Sequence, residues 1–264
     1  MLHKEKAGKT VMSYEPNDTL QPLSYPAPST DINLPTYTGA SSVTRFACLS
    51  MHGADRIHFL RLNASEVEAM RKILNMTWSR GIQEERDKHG AVEFKLKGLP
   101  WGGAEGKQTV QARQMLCGIL EALYNLGWVI VSSTDVSKNS YEQDTIFLRY
   151  QYPAPPRCSW MSISFHKGDR LRLINAPEGV TQSIRHSFAS MIQKDEWKDL
   201  EKDYRSYELK FQGYPWHYSN RESSISARVL LLQLLEVLEQ NGFTLYVSVD
   251  QNRSWSDASR DIDT

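Results

Sequence analysis

Glu93-Phe94-Lys95-Leu96-Lys97-Gly98-Leu99-Pro100-Trp101 returns later in the chain as Glu208-Leu209-Lys210-Phe211-Gln212-Gly213-Tyr214-Pro215-Trp216. The residues around each stretch also match, so a whole structural unit is duplicated. Each stretch alternates apolar and charged side chains and then meets Gly-x-Pro. That pattern predicts a half-buried strand stopped by a residue with no amide to donate.

Upstream, Phe46–His52 and Asp55–Leu60 flank Gly53-Ala54, and Trp160–His166 and Asp169–Ile174 flank Lys167-Gly168, which predicts a hairpin in each copy. A helix follows. In copy one Ser65 is the expected N-cap, Glu66 and Glu68 favour the first turn, and Val67, Met70, Ile73, Leu74 and Trp78 recur at helical spacing. In copy two it starts after Pro177 with Val180, Ile184 and Phe188, and Arg185 matches Arg71.

Downstream of Pro-Trp lies the clearest helix, with an apolar face of Val110, Met115, Leu116, Ile119, Leu120 and Leu123. Copy two matches it with Ile225, Leu230, Leu231, Leu234, Leu235 and Leu238. Gly127 and Gly242 end these helices where the chain turns left-handed. Trp128–Ser133 and Phe243–Ser248 then read as strands. Copy one finishes with a further strand at Ile146–Tyr150, whereas copy two runs out at Asp263-Thr264.

The expected fold is therefore α+β: two tandem ββαβαββ units of two layers, the second lacking its last strand. The layout is a disordered Pro/Ser/Tyr-rich tail (1–43), unit one (44–152), a Pro-rich connector (153–158) and unit two (159–264). Three accounts of the absent strand stand open: the sequence is a piece of a longer one, a partner supplies the strand by pairing with the open edge, or copy two is a shorter variant.

Of 264 residues, 40% are hydrophobic and 23% charged, and the formal net charge is zero. These values suit a soluble protein of two modest domains and give no basic stripe for nucleic acid. No apolar run would span a membrane, and the N-terminus lacks a signal-peptide core, so a cytoplasmic or nuclear location is expected. On that reading the four Asn-x-Ser/Thr sequons at Asn17, Asn63, Asn75 and Asn252 are chance matches. Cys48, Cys117 and Cys158 lack metal-ligand spacing and read as reduced thiols, and the seven histidines have no ligand spacing either. No cofactor or metal is expected.

Both copies keep Asp55/Asp169, Arg56/Arg170, Arg71/Arg185, Glu93/Glu208, Lys95/Lys210, Arg113/Arg228, Asp135/Asp250 and Asp144/Asp263, and His52 corresponds to His166. A repeated ion-pair and hydrogen-bond network accounts for most of this set. The alternative is a repeated ligand site by the Pro-Trp loop, formed by Trp101, Arg113 and Asp135 and by Trp216, Arg228 and Asp250. Trp101 and Trp216 read first as core plugs. Gly102–Thr109 resembles a phosphate loop but fails the Walker spacing, with Trp101 and Gln108 at positions that need Gly and Ser/Thr. In the tail, Leu23–Pro28 and Leu34–Tyr37 are partial matches to Pro/Tyr ligands of WW- or SH3-type domains.

The Phe-Lys-Leu-Lys-Gly-x-Pro-Trp signature, with its later Ala-Arg, Gly-Trp and Asp-x-Ser, resembles a group of eukaryotic proteins, many of them fungal. These carry tandem copies behind a Pro/Tyr-rich tail. The resemblance spans about residues 45–264 and brings no activity with it. The expected function is a non-catalytic interaction or scaffold role, with a protein partner met through the tail or the open edge of copy two. The alternative is a small-molecule or phospho-ligand binder, or an enzyme, acting near the Gly-x-Pro-Trp loop.

Overall fold

A computed structural model describes residues 44–102, 107–136, 142–201, 204–217 and 221–250. The tail motifs, the centre of the phosphate-loop look-alike at 103–106, and Asp263 lie outside them.

Copy one runs β1 (Phe46–His52), β2 (Arg56–Leu60), α1 (Ala64–Thr77), β3 (Ile82–Lys88), β4 (Ala91–Leu96), α2 (Lys107–Asn125), β5 (Trp128–Thr134) and β6 (Glu142–Tyr150). Its six strands form an antiparallel sheet in the order β3-β4-β2-β1-β6-β5. Copy two runs β7 (Ser162–His166), β8 (Arg170–Ile174), α3 (Glu178–Ser187), β9 (Ile192–Glu201), β10 (Tyr204–Phe211) and α4 (Arg221–Gln240). Its sheet, β7-β8-β10-β9, repeats the β1-β2-β4-β3 half of the first. The α+β class and the duplication are as the sequence implies.

Three local expectations are corrected. Each copy has an extra strand, β3 or β9, before the duplicated signature, making the first unit ββαββαββ. Strand β3, Ile82-Gln83-Glu84-Glu85-Arg86-Asp87-Lys88, is polar and largely exposed, so it carries no apolar alternation. What forms β3 is the turn at His89-Gly90, both with positive φ, which folds it onto β4. Helix α1 is capped by Asn63 and not Ser65. The Asn63 side chain accepts the Glu66 amide at 2.9 Å, and the Glu66 carboxylate accepts the Asn63 amide at 2.7 Å, a complete capping box.

The third correction concerns Phe243–Ser248, which forms no strand. In copy one β5 exists by pairing with β6, and among the described residues copy two has no strand equivalent to β6. The segment turns to copy one instead. Val249 and Val247 join the first core, and Tyr124, Trp160 and Tyr246 pack edge-to-face with centroids 5.0–5.6 Å apart.

In each sheet one face packs against the unit's own helices. In copy one Leu49, Met51, Ile57, Phe59, Phe94, Ile146 and Leu148 meet Met70, Leu74, Met115 and Ile119. In copy two Ile163, Phe165, Leu171, Leu173 and Leu209 meet Val180, Ile184, Leu230 and Leu234. The outer face of the second sheet is covered as well, because α2 of copy one lies across β7, β8 and β10. Gln114 Nε2 donates to Asn175 Oδ1 at 3.0 Å across this seam, and Gln111, Arg113 and Cys117 are buried. Helix α2 is thus enclosed on two sides, and no described helix is long and apolar enough to cross a membrane.

Candidate functional site

The outer face of each sheet carries a matched polar cluster. In copy one Arg56 Nη1 donates to Glu93 Oε1 at 2.6 Å, and His58 Nε2 lies 2.7 Å from Glu93 Oε2. The His52 and His58 rings stack at 4.1 Å, and Ser50 Oγ is 2.8 Å from His52 Nε2. Strand register explains the cluster, since Ser50 faces His58, His58 faces Glu93, and His52 faces Arg56. In copy two the counterpart of His58 is Arg172. Arg170 Nη1 and Arg172 Nε hold the two Glu208 oxygens at 2.5 and 2.8 Å. Burial works against the charged form of Glu93, but the His58 hydrogen bond and the Arg56 charge outweigh it and hold the carboxyl below its ordinary range. Burial likewise opposes Glu208, and Arg172 and Arg170 again win. The second cluster is sealed under α2, where Ser164, Ser206 and Glu208 are all buried.

The retained charges are therefore largely structural. Arg71 Nη2 pairs with Glu85 on β3 at 2.6 Å, and Arg185 Nε with Asp195 on β9 at 3.0 Å, tying each first helix to its sheet. No group of His, Cys, Asp and Glu among the described residues is arranged to hold a metal ion.

The six residues expected at a Pro-Trp mouth take different places. Trp101 is a core plug whose Nε1 donates to the Arg56 carbonyl at 3.0 Å. Trp216 is half-buried against Phe165 and Phe211 in the second core. Arg113 is buried at the seam and its Nη1 donates to the Thr109 carbonyl at 3.2 Å, while its counterpart Arg228 is exposed and bonds Ser224. Asp135 is exposed beyond β5. The Asp250 amide donates to Asp144 Oδ2 at 3.1 Å, fastening the end of the post-α4 segment to copy one.

Of these six only Arg113 lines an apolar cavity of about 470 Å³ beside β7. Its walls are Leu116, Leu120 and Tyr124 of α2, Leu231, Leu234, Leu235 and Leu238 of α4, Ile163 and Phe165 of β7, and the chain from Phe243 to Val249. The four α4 leucines correspond to Leu116, Ile119, Leu120 and Leu123 of α2. In copy one those side chains share a core with Ile146 and Leu148 of β6. Among the described residues the cavity thus lies beside the edge of β7 that corresponds to the β1 edge paired with β6 in copy one. No periodicity in the sequence reports this lining, because α2, Tyr124 and Tyr246 reach it only through the packing of one copy on the other. The lining thiol Cys117 is pushed up to about 12 by burial and by nearby Glu121, so it is a packing group and not a nucleophile.

One protein-domain family matches the chain twice, over residues 45–149 and 159–264. Among solved structures, that of a conserved kinetoplastid-specific protein from Trypanosoma cruzi is similar over 40% of this chain and 96% of its own. The identity is 17% and the TM-score 0.28. No curated protein matches the chain. With both matches together spanning most of its length, the chain belongs to that domain family and carries its domain in two tandem copies.

Proposed function

We propose that this protein is an interaction module that takes up an extended apolar segment of a partner protein at the outer edge of β7. The observation that carries this reading is the apolar cavity between β7, α4 and α2, beside the edge of β7 that corresponds to the β1 edge paired with β6 in copy one. Copy one supplies the template. There β6 runs antiparallel to β1, with Phe46 opposite Arg149, Cys48 opposite Phe147 and Ser50 opposite Thr145. Ile146 and Leu148 point into the core, and Phe147 points out. A guest with apolar residues two apart places both in the cavity while its backbone pairs with β7. Main-chain bonds give such a complex affinity, and the two apolar pockets give it selectivity.

The test uses the full chain and a synthetic peptide of the β6 sequence, residues 142–150. Binding is expected to protect the β7 amides from hydrogen exchange. At a concentration of about 100 Kd it should stabilise the fold by about 2.7 kcal/mol. A peptide N-methylated at alternate amides keeps the side chains but cannot pair as a strand, and it is expected not to bind. Equal binding by that analogue would replace strand addition with a cavity for apolar small molecules. No binding by either would overturn the reading.

A further inference from the structure

We infer that the contact between the two copies is repeated between molecules, with α4 of one chain lying on the outer face of the six-stranded sheet of a second copy of this chain. Within one chain, α2 covers the outer face of the sheet of copy two. The counterparts of both partners are left uncovered by the described residues: α4, which matches α2, and the outer face of the first sheet, which matches that of the second.

The uncovered helix differs from its covered counterpart at two positions of its outer face. On α2 the seam-facing residues include Gln114 and Cys117; on α4 these positions are Val229 and Leu232. With Ile225 they form a stripe at i, i+4 and i+7 that is 55%, 55% and 60% exposed. On the sheets, Ser162 of β7 corresponds to Cys48 of β1. Cys48 sits between Leu60 and Phe147, its neighbours across the strands. Phe46, on the same face, is 47% exposed, and Phe147 is 37% exposed. The α4 stripe is therefore more apolar than the face α2 presents at the seam, and the outer face of the first sheet carries the exposed Phe46 and Phe147 on the same side as its polar cluster.

The two surfaces are different patches of one chain, so the contact is heterologous and propagates to a ring or an open chain of copies.

The experiment is sedimentation velocity on the full chain from ~1 µM to ~1 mM, a range that brackets contacts of moderate strength. Wild type is expected to grow beyond a dimer as concentration rises. Leu232→Glu alters only the helix stripe, and Phe147→Glu alters only the sheet patch. Both positions are exposed, so each variant is expected to keep the wild-type thermal melt and to be monomeric alone. Mixed in equal amounts they are expected to form a one-to-one dimer, since each supplies the surface the other lacks. Phe147→Glu that still dimerises would replace this contact with a symmetric α4–α4 pair and overturn the inference. So would a wild type that stays monomeric throughout. Association abolished by removing residues 1–43 and unaffected by both substitutions would assign it to the tail and overturn the inference equally.

Discussion

The Tyr246 hydroxyl accepts the backbone amide of Ile130 at 2.9 Å, joining the segment after α4 to the edge strand of the other copy. The ring meanwhile packs edge-to-face on Tyr124 and Trp160. Tyr246→Phe removes only the hydrogen bond and is expected to cost about 0.5–1.5 kcal/mol in urea unfolding. Tyr246→Ala also removes the ring contacts and is expected to cost more, with faster amide exchange across residues 243–249. Equal losses for the two variants would show that the ring packing adds nothing.

Arg172 and Arg71 make similar-looking ion pairs with different expected worth. Arg172 holds Glu208 beneath α2, with both side chains largely hidden, whereas the Arg71–Glu85 pair is a third exposed. Arg172→Met leaves a buried carboxylate with one partner fewer, and a loss of about 3 kcal/mol or more is expected. Arg71→Met is expected to cost under about 1 kcal/mol. Urea midpoints of the two variants decide it.

Acid should unfold the protein through these carboxylates. Glu93 and Glu208 both have folded-state values below the ordinary glutamate value. Their contribution is complete above about pH 4.3, where the unfolded chain is also ionised, and is lost as pH falls through the lower folded values. The expected result is a urea midpoint that falls with acidification below that point. Glu208→Gln should flatten the fall. An unchanged slope would show that Glu208 is not among the groups that bind protons on unfolding.

Gly127 and Gly213 both have positive φ, but they differ in surroundings. A Cβ at Gly127 would lie 2.6 Å from the Gln151 carbonyl oxygen, a backbone atom; at Gly213 it would meet nothing within 4 Å. Gly213→Ala is expected to cost about 1–2 kcal/mol from the left-handed backbone alone. Gly127→Ala adds a clash with fixed backbone and is expected to cost at least ~3 kcal/mol. Calorimetric melting of the two variants compares them directly.

Those elements whose burial is one-sided could be read from the sequence. The period of α2 and α4, the alternation of β4 and β10, and the glycines that stop both second helices were all visible because one face meets water and the other meets the unit's own core. Strand β3 was invisible for the opposite reason: its side chains are polar, and its existence depends on the His89-Gly90 turn and on backbone pairing with β4. The six expected site residues are dispersed on similar grounds. Agreement between copies marked Trp101, Arg113 and Asp135 as a set, yet Arg113 is buried by copy two whereas Arg228 is not covered at all. Identity of sequence in two copies does not carry identity of surroundings when one copy packs on the other. The cavity beside β7 is built from both copies, and no periodicity within one segment reports on it.

Helix α2 sits between two sheets: its apolar face belongs to the core of copy one, while Gln114 on its other side bonds Asn175 of copy two. Fusing two copies in this way does not give beads on a string. Melting either half strips α2 of one of its two supports, and the energetic penalty is felt at once by the other half. The pair should therefore unfold as a single cooperative block, with one calorimetric transition and matching van't Hoff and calorimetric enthalpies. Cleavage in the connector at 153–158 should leave the two fragments associated, because what joins them is a shared helix and not the peptide chain.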